Sequence, residues 1–249
     1  MADRIVVVTG ASSGIGAALA ERAAEAGDTV MLVARNEARL REVAARCGPR
    51  AHVHLADVSD RAEVRRAVAV AVSRFERIDV WVNNVGQGIS RPPSQLTDGD
   101  IDLMMRVNVL SALYGMQETL PHFRSRETGH VINVSSMLGR IPAAVPRVAY
   151  NGAKHFLNAL TANFRSEVQE EHPGIAYSLV SPGVVYTEFG RNAVHGGPDS
   201  RSFPQGQSAD EVAGIILRVM ETRAPDVYTR PESHGRVVAY FDALGREAE

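Results

Sequence analysis

Short apolar runs alternate along this chain with longer segments whose apolar residues recur every three or four positions. The runs predict buried strands, and the longer segments predict helices. The predicted strands are residues 4–9, 29–33, 52–56, 78–82, 131–134 and 175–180, with a short seventh strand near Val227. The predicted helices are residues 15–26, 36–47, 60–77, 98–123, 148–171 and 209–222.

Strands that alternate with helices of this length form βαβ units, and nearly continuous apolar strands are typical of a parallel sheet covered on both faces. We therefore expect an α/β fold: a single Rossmann-type, doubly wound parallel sheet of about seven strands with helices on both faces. The 249 residues fit one domain spanning 1–249, and no repeat or linker divides it. Residues 188–208, rich in glycine and proline, predict a substrate-side lid, although an unordered loop gives the same pattern.

Composition and charge narrow the class of protein. Hydrophobic residues make up 45% of the chain and charged residues 22%, as in an ordinary globular protein with a packed core. The net charge of −2 gives no reason to expect a nucleic acid or an anionic membrane as partner. The only cysteine, Cys47, excludes an intramolecular disulfide and favours a reducing compartment. Because no apolar stretch is long enough to cross a bilayer, we expect a cytoplasmic location.

The basic residues are unevenly divided between arginine and lysine. Of 27 basic side chains, 26 are arginine and one is lysine, Lys154. Arginine carries a permanently charged planar fork, whereas lysine is a compact point charge whose pKa shifts readily. Lys154 follows Tyr150 by four residues, so both side chains lie on one face of a helix. The lone lysine therefore marks a candidate site, although chance composition remains the alternative.

A glycine-rich turn joins the first strand to the first helix. It reads Thr9-Gly10-Ala11-Ser12-Ser13-Gly14-Ile15-Gly16. Glycines here permit a tight turn and a close approach of the backbone to a pyrophosphate, which then rests on the helix N-terminus. The sequence thus predicts a dinucleotide-binding turn at this position.

This octet resembles the T-G-x-x-x-G-x-G motif of the short-chain dehydrogenase/reductase family, and further family motifs follow in order. Asn83-Asn84-Val85-Gly86 resembles N-N-A-G with valine in place of alanine, and Tyr150 with Lys154 resembles Y-x-x-x-K. The resemblance covers about residues 4–187 and implies an NAD(P)-dependent oxidoreductase acting on carbonyl or alcohol groups. The cofactor-binding residues it implies are Gly10, Ser12, Ser13, Gly14, Ile15, Gly16, Arg35, Asp57, Val58, Asn84, Gly86, Tyr150, Lys154, Pro182, Gly183, Val185 and Thr187.

The end of the second strand bears on the choice between NAD and NADP. An acidic residue there would bind the ribose 2′-hydroxyl and repel a 2′-phosphate. This chain has Ala34 followed by Arg35, and arginine makes charge-assisted, bidentate contacts with phosphate. Ser13 stands where some NADP-linked relatives carry a second basic residue. We therefore expect NADP as the cofactor, with NAD as the alternative.

The resemblance also assigns catalytic roles. Tyr150 is the expected general acid/base, and Lys154 is expected to lower its pKa and to bind the nicotinamide ribose. Ser136, with Ser135 as the alternative, would orient the substrate oxygen. Asn108, in the long fourth helix, would complete a proton relay through a bound water. We expect hydride transfer between the nicotinamide and a carbonyl or secondary alcohol.

The substrate is a small molecule that the sequence does not identify. The expected pocket residues are Gln87, Met137, Leu138, Arg147, Val184, Tyr186 and Phe189. The arginines at 140, 147, 191 and 201 offer an acidic substrate partners, although solvated arginines are common in this chain. His52 and His54 lack a third ligand, so we expect no metal.

The alternative functions are an NAD-linked alcohol dehydrogenase and a non-catalytic NADP(H)-binding sensor or scaffold. The resemblance also implies a homodimer or homotetramer.

Overall fold

The computed structural model describes residues 3–244, and its strands form one parallel sheet. The strands are β1 (Ile5–Thr9), β2 (Thr29–Ala34), β3 (Ala51–Leu55), β4 (Val80–Asn83), β5 (Gly129–Val134), β6 (Ile175–Ser181) and β7 (Asp226–Tyr228). Their order in the sheet is β3-β2-β1-β4-β5-β6-β7. The order therefore reverses between β1 and β4, and ligands bind in the crevice beyond the carboxyl ends of the strands at such a point.

Helices cover both faces of the sheet because successive strand residues point to opposite sides. Val6 and Val8 pack with the first, second and seventh helices, whereas Val7 packs with the third, fifth and sixth. The helices are α1 (Gly14–Glu25), α2 (Glu37–Cys47), α3 (Arg61–Phe75), α4 (Asp98–Met105), α5 (Ser111–Arg126), α6 (Val148–Glu171), α7 (Ala209–Thr222) and α8 (Glu232–Leu244). The predicted α/β class and seven-stranded, doubly wound sheet are confirmed.

Three local features differ from the sequence prediction. The helix predicted over residues 98–123 is interrupted by a π-helical turn, Arg106–Leu110, which separates α4 from α5. α8 was not predicted: Ser233 is its one buried residue, so core packing imposes little apolar periodicity on it. Residues 188–208 are more ordered than an irregular loop, since they contain a short 3₁₀ turn and two isolated β-bridges, Ile89 with Val194 and Val185 with Gln207.

Residues 3–244 contain neither a membrane-spanning helix nor a metal-binding group of side chains. No helix in this range is both long and apolar enough to traverse a bilayer. No group of three histidine, cysteine, aspartate or glutamate side chains in the same range is arranged to hold a metal ion.

Candidate active site

The glycine-rich turn lies at the crevice and has no room for larger side chains. Gly10 and Gly14 adopt φ values of 66° and 55°, a region that glycine enters without strain. A Cβ on Gly16 would collide with the Gly10 carbonyl oxygen and lie 2.6 Å from Asn84 Nδ2. The turn is therefore a bare backbone surface that fits the close approach of a pyrophosphate.

The helix that starts at this turn lacks the side-chain cap that α2, α3, α4 and α7 have. Asn36, Asp60, Thr97 and Ser208 cap α2, α3, α4 and α7 through their side chains. At α1 the N-cap residue Ser13 makes no side-chain cap bond, and no acidic residue lies in the first turn. The first amide groups of α1 are thus left for an anion, and the helix dipole favours one there.

Asn84 fixes the turn from the neighbouring strand. Its Nδ2 donates to the carbonyl oxygen of Thr9 at 3.1 Å, and its backbone N–H donates to Thr9 Oγ1 at 3.0 Å. The Thr9 hydroxyl in turn donates to the Val82 carbonyl oxygen at 3.0 Å. The carboxyl ends of β1 and β4 are thereby tied together on either side of the crevice.

The predicted adenosine side carries two exposed arginines, Arg35 just after β2 and Arg39 on the first turn of α2. Arg35 Nη1 lies 3.3 Å from Asp57 Oδ2, and Val58 is buried beside this carboxylate. Contacts with Ser59 and Arg35 outweigh burial and lower the pKa of Asp57. Arg39, which the sequence analysis did not single out, pairs with Glu188 at 3.0 Å. That contact links α2 to the first residue of the 188–208 segment.

Tyr150 and Lys154 lie in the first turns of α6, and both are almost fully buried. Lys154 Nζ donates to the carbonyl oxygen of Val134, the last residue of β5, at 2.9 Å. A Cβ built on Gly86 would lie 3.3 Å from Asn108 Oδ1 and 3.6 Å from Lys154 Nζ. The Lys154 ammonium and the Asn108 amide therefore both lie close to Gly86, in the segment that follows β4.

Asn108 lies in the π-helical turn, where the N–H of Ser111 bonds to the carbonyl of Arg106 instead of the usual fourth residue back. Its Oδ1 accepts from the Gln87 N–H at 3.0 Å, and its Nδ2 donates to the Gln87 carbonyl at 3.0 Å. Single π-helical turns occur often at functional sites. Here the turn holds the Asn108 side chain firmly against the segment after β4.

Burial shifts the pKa values of both residues of the pair. It raises the pKa of Tyr150 to about 12, although the Ser136 hydroxyl and the Arg147 charge act in the opposite direction. It lowers the pKa of Lys154 to about 7. The sequence analysis expected Lys154 to lower the tyrosine pKa; in this cofactor-free structure the removal of the phenol from water outweighs its neighbours and raises the pKa. The phenol is protonated at neutral pH.

The structure separates the two candidate serines. Ser135 Oγ donates to Asn158 Oδ1 at 2.5 Å and is held on the α6 side. Ser136 caps a short 3₁₀ turn, where its Oγ accepts from the Leu138 N–H at 3.1 Å, and it is the serine that acts on the pKa of Tyr150. The position of Ser136 relative to Tyr150 therefore favours it over Ser135.

The segment after β6 closes the crevice from the other side. The Met137 N–H donates to the Pro182 carbonyl oxygen at 2.8 Å, which joins this segment to the Ser136 turn. A Cβ built on Gly14 would lie 3.2 Å from Thr187 Cγ2, whereas one on Gly183 would meet nothing within 4 Å. Thr187 thus lies against the glycine-rich turn, and Gly183 faces open space.

One cavity lies beside this arrangement, and another lies away from it. One of about 410 Å³ opens beside the glycine-rich turn and is lined in part by Ser13, Gly14 and Thr187. The other, of about 520 Å³, lies at the β3 edge of the sheet around His52 and contains none of the predicted site residues. We assign the second cavity no part in the site.

The predicted substrate residues fall into two groups. Phe189 packs on Tyr150 with ring centroids 5.4 Å apart, and Leu138 joins the same apolar cluster. Gln87 Nε2 donates to the Asn192 carbonyl oxygen at 2.5 Å, so it reaches the 188–208 segment. Tyr186, in contrast, lies partly exposed against Gly206, whose N–H donates to its hydroxyl at 2.9 Å. The remaining members are Met137, which is buried, Val184, which is exposed, and Arg147, which is half-buried.

Comparisons with known proteins agree with this geometry. The short chain dehydrogenase family profile matches residues 4–196. The chain is 32% identical to an uncharacterised oxidoreductase of Staphylococcus epidermidis, over 92% of this chain and 97% of that protein. A short-chain dehydrogenase from Sphingobium yanoikuyae in complex with NADPH is 28% identical, with a TM-score of 0.80 over 99% of this chain and 97% of the other. A 3-ketoacyl-(acyl-carrier-protein) reductase from Brucella melitensis complexed with NADH is 25% identical, with a TM-score of 0.80 over 91% and 94%.

The fold, the bare glycine-rich turn and the comparisons define the class of protein as an NAD(P)-dependent oxidoreductase. The match over residues 4–196 shows that the chain belongs to the short-chain dehydrogenase/reductase family. Family membership gives the reaction class. The residues of this chain decide which cofactor it prefers, which group donates the proton and which substrate it binds.

Proposed function

We propose that this protein is an NADP-preferring reductase of carbonyl compounds in which Tyr150 supplies the proton. The observation that carries the proposal is the buried Tyr150–Lys154 pair beside Asn108 and Ser136, at the crevice edge next to the bare glycine-rich turn. The bound nicotinamide would exchange a hydride with the carbonyl carbon. The residues of the chain must then hold the carbonyl oxygen and deliver one proton to it.

Ser136 and Tyr150 are the proposed donors to that oxygen. As negative charge develops on the oxygen, prearranged hydroxyl donors stabilise it in a site where water is scarce. A phenol with a pKa of about 12 is protonated at neutral pH and still gives its proton to the far more basic alkoxide. This protonation state favours the reducing direction.

Lys154 and Asn108 are the proposed relay that restores the proton. An ammonium with a pKa of about 7 gains and loses a proton readily near neutral pH. Lys154 lies close to the Asn108 amide where Gly86 leaves a gap, and that amide is anchored to Gln87. The proton that leaves Tyr150 is thus replaced from solvent through Lys154, and the chain ends the cycle unchanged.

NADP preference rests on the end of β2. Ala34 offers no carboxylate to repel a 2′-phosphate, and the Arg35 guanidinium is exposed there. Arg39 adds a second cation on the first turn of α2. Relatives with bound NADPH and with bound NADH are both known, so the preference is argued from these arginines.

Location and assembly also remain predictions. A cytoplasmic location rests on the single cysteine, and a homodimer or homotetramer rests on the family resemblance. The exposed Phe156 on α6 is consistent with a buried contact between copies.

The first experiment is a fluorescence titration of the purified protein with NADPH and NADH, followed by turnover assays on ketones, diketones and quinones. We expect tighter binding of NADPH, and turnover that falls about 10²–10⁴-fold in Tyr150→Phe while the cofactor dissociation constant changes far less. Full turnover by Tyr150→Phe would exclude Tyr150 as the proton donor. Binding without any turnover would favour a sensor, and tighter NADH binding would favour an NAD-linked enzyme.

A further inference from the structure

Four arginines lie in or near the segments that border the predicted substrate pocket, and three of them already have acidic partners. Arg140 pairs with Asp226, and Arg191 and Arg201 both pair with Asp199. Arg147 has no ion pair or side-chain hydrogen bond within residues 3–244, and its Nη1 is buried without a partner. The structure thus distinguishes one arginine of the four.

Arg147 points into the site because of its position in the chain. It immediately precedes α6 and lies three residues before Tyr150, on the same side of the helix start. A Cβ on Gly88 would lie 2.6 Å from its Nη1, and a Cβ on Gly197 would lie 2.7 Å from its Nη2. The guanidinium therefore fits between the segment after β4 and the 188–208 segment, where only glycines leave room for it.

Phe189 shows that this guanidinium and Tyr150 border the same space. The Phe189 ring packs on the Tyr150 ring, and its edge lies 3.1 Å from the Cβ position of Gly88 that Arg147 Nη1 also approaches. The Arg147 charge also lowers the pKa of Tyr150. A ligand that bonds to the Tyr150 hydroxyl through one atom can therefore also bond to Arg147 through a second group.

An uncompensated guanidinium in this place is costly for the cofactor-free protein. A buried donor without a partner destabilises the folded protein, and more so when it is charged. Burial accordingly lowers the pKa of Arg147. A ligand that supplied the missing partner would remove this cost.

We propose that Arg147 binds a carboxylate of the substrate, so that the protein reduces carbonyl compounds bearing a carboxylate, or oxidises the matching hydroxy acids. The inference rests on the proposed function and names its substrate class. A carboxylate presents two coplanar oxygens to the guanidinium fork. The single charge of a carboxylate matches the single charge of the Arg147 guanidinium, whereas a phosphate dianion carries more charge than this one guanidinium balances.

The test compares oxo acids with their methyl esters, using a series that varies the number of methylene groups between ketone and carboxylate. We expect the wild-type protein to prefer the acids. In Arg147→Gln, kcat/KM for the best acid should fall about 10- to 100-fold, the loss expected of hydrogen bonds to a charged group, while that for its ester changes little. Arg147→Lys keeps the charge but loses the planar fork, so its kcat/KM for the acid should lie between those of the wild type and Arg147→Gln.

Arg65→Gln on α3 is the matched control, because it removes one arginine charge from an exposed ion pair with Glu118. Arg65→Gln should leave kcat/KM unchanged for both the acid and its ester. Unchanged NADPH affinity in Arg147→Gln verifies its folding. A parallel loss on acid and ester, or no preference for acids in the wild type, would overturn the inference while leaving the reductase proposal intact.

A binding measurement decides the inference independently of turnover. The saturated acids of the same chain lengths cannot react, so their dissociation constants for the protein–NADPH complex report carboxylate binding alone. We expect weaker binding to Arg147→Gln by a similar factor, and equal binding to both proteins would contradict the role of Arg147. If the acids bind through Arg147 and no carbonyl compound is reduced, the proposed function fails instead.

Discussion

At the scale of single residues, burial changes the chemistry of Lys154 and Arg147, because it lowers the pKa of each. The rarity of lysine pointed to Lys154, and the structure buries its ammonium against the Val134 carbonyl. The spacing of four residues placed it beside Tyr150 but gave no measure of burial, which depends on strands and helices distant in the chain. For the same reason, Arg147 could not be distinguished by sequence from the arginines that have acidic partners.

The pKa of Lys154 leads to a prediction about stability. Its value is about 7 in the folded protein and about 10.4 in an unfolded chain, so the unfolded state binds more protons between these limits. The free energy of unfolding therefore rises with pH over this window. Relative to Lys154→Met, the cofactor-free wild type should gain about 1 kcal/mol per pH unit between pH 7.5 and 9.5. Urea denaturation at a series of pH values measures the difference.

Tyr150→Phe is the matched control for that experiment. Because the phenol stays protonated below its pKa of about 12, removing its hydroxyl should leave the pH dependence of stability as in the wild type. Parallel stability curves for the wild type and Lys154→Met would show that the ammonium keeps its ordinary pKa, and the proposed proton relay would lose its support.

At the scale of elements, the strands were predictable because each is an apolar run bounded by turn residues. The π-helical turn at Arg106–Leu110 was not, since its residues continue the helical pattern on both sides. Its consequence is local: it holds the Asn108 side chain against Gln87. The motif match located Asn108, and the backbone geometry that holds it appears only in the structure.

The start of α1 gives a prediction for one glycine. In Gly16→Ala the new methyl group would collide with the Gly10 carbonyl oxygen and with Asn84 Nδ2, so the glycine-rich turn must shift. We expect a loss of about 1–3 kcal/mol in stability and at least a tenfold loss of NADPH affinity. Denaturation and fluorescence titration measure the two effects.

Gly235→Ala in α8 is the control with the same chemical change. A Cβ there meets nothing within 4 Å, and alanine in a helix interior gains about 0.5–1 kcal/mol over glycine. We expect higher stability and unchanged cofactor binding. Equal NADPH affinity in Gly16→Ala and the wild type would mean that the pyrophosphate does not bind at this turn.

At the scale of the whole molecule, the 188–208 segment is tied to the body of the protein at several points. Arg39 pairs with Glu188, His195 pairs with Asp100, and Val194 forms a β-bridge with Ile89. Glycine and proline content predicted the irregular backbone of this segment. Its attachments join residues far apart in the sequence, so no local pattern could have revealed them.

The His195–Asp100 contact is the attachment that a single substitution tests best. His195 Nε2 lies 2.9 Å from Asp100 Oδ1, and Asp100 also binds Arg91 and Thr97. His195 has a φ of 62°, a conformation that asparagine tolerates well, so His195→Asn removes the contact with little backbone cost. The segment should then open more often, because one of its links to α4 is gone.

We expect His195→Asn to raise the substrate KM and the hydrogen-exchange rates of the Ser90 and Val194 amides about two- to fivefold, as for the loss of one partly exposed hydrogen bond. Both amides bond across the junction, to the Val194 and Gly88 carbonyl oxygens. NADPH affinity should not change. Arg201→Gln is the matched control, because its partner Asp199 lies in the same segment and the pair ties it to nothing outside. If both variants speed exchange equally, the segment opens through general loosening, and His195 is not its anchor.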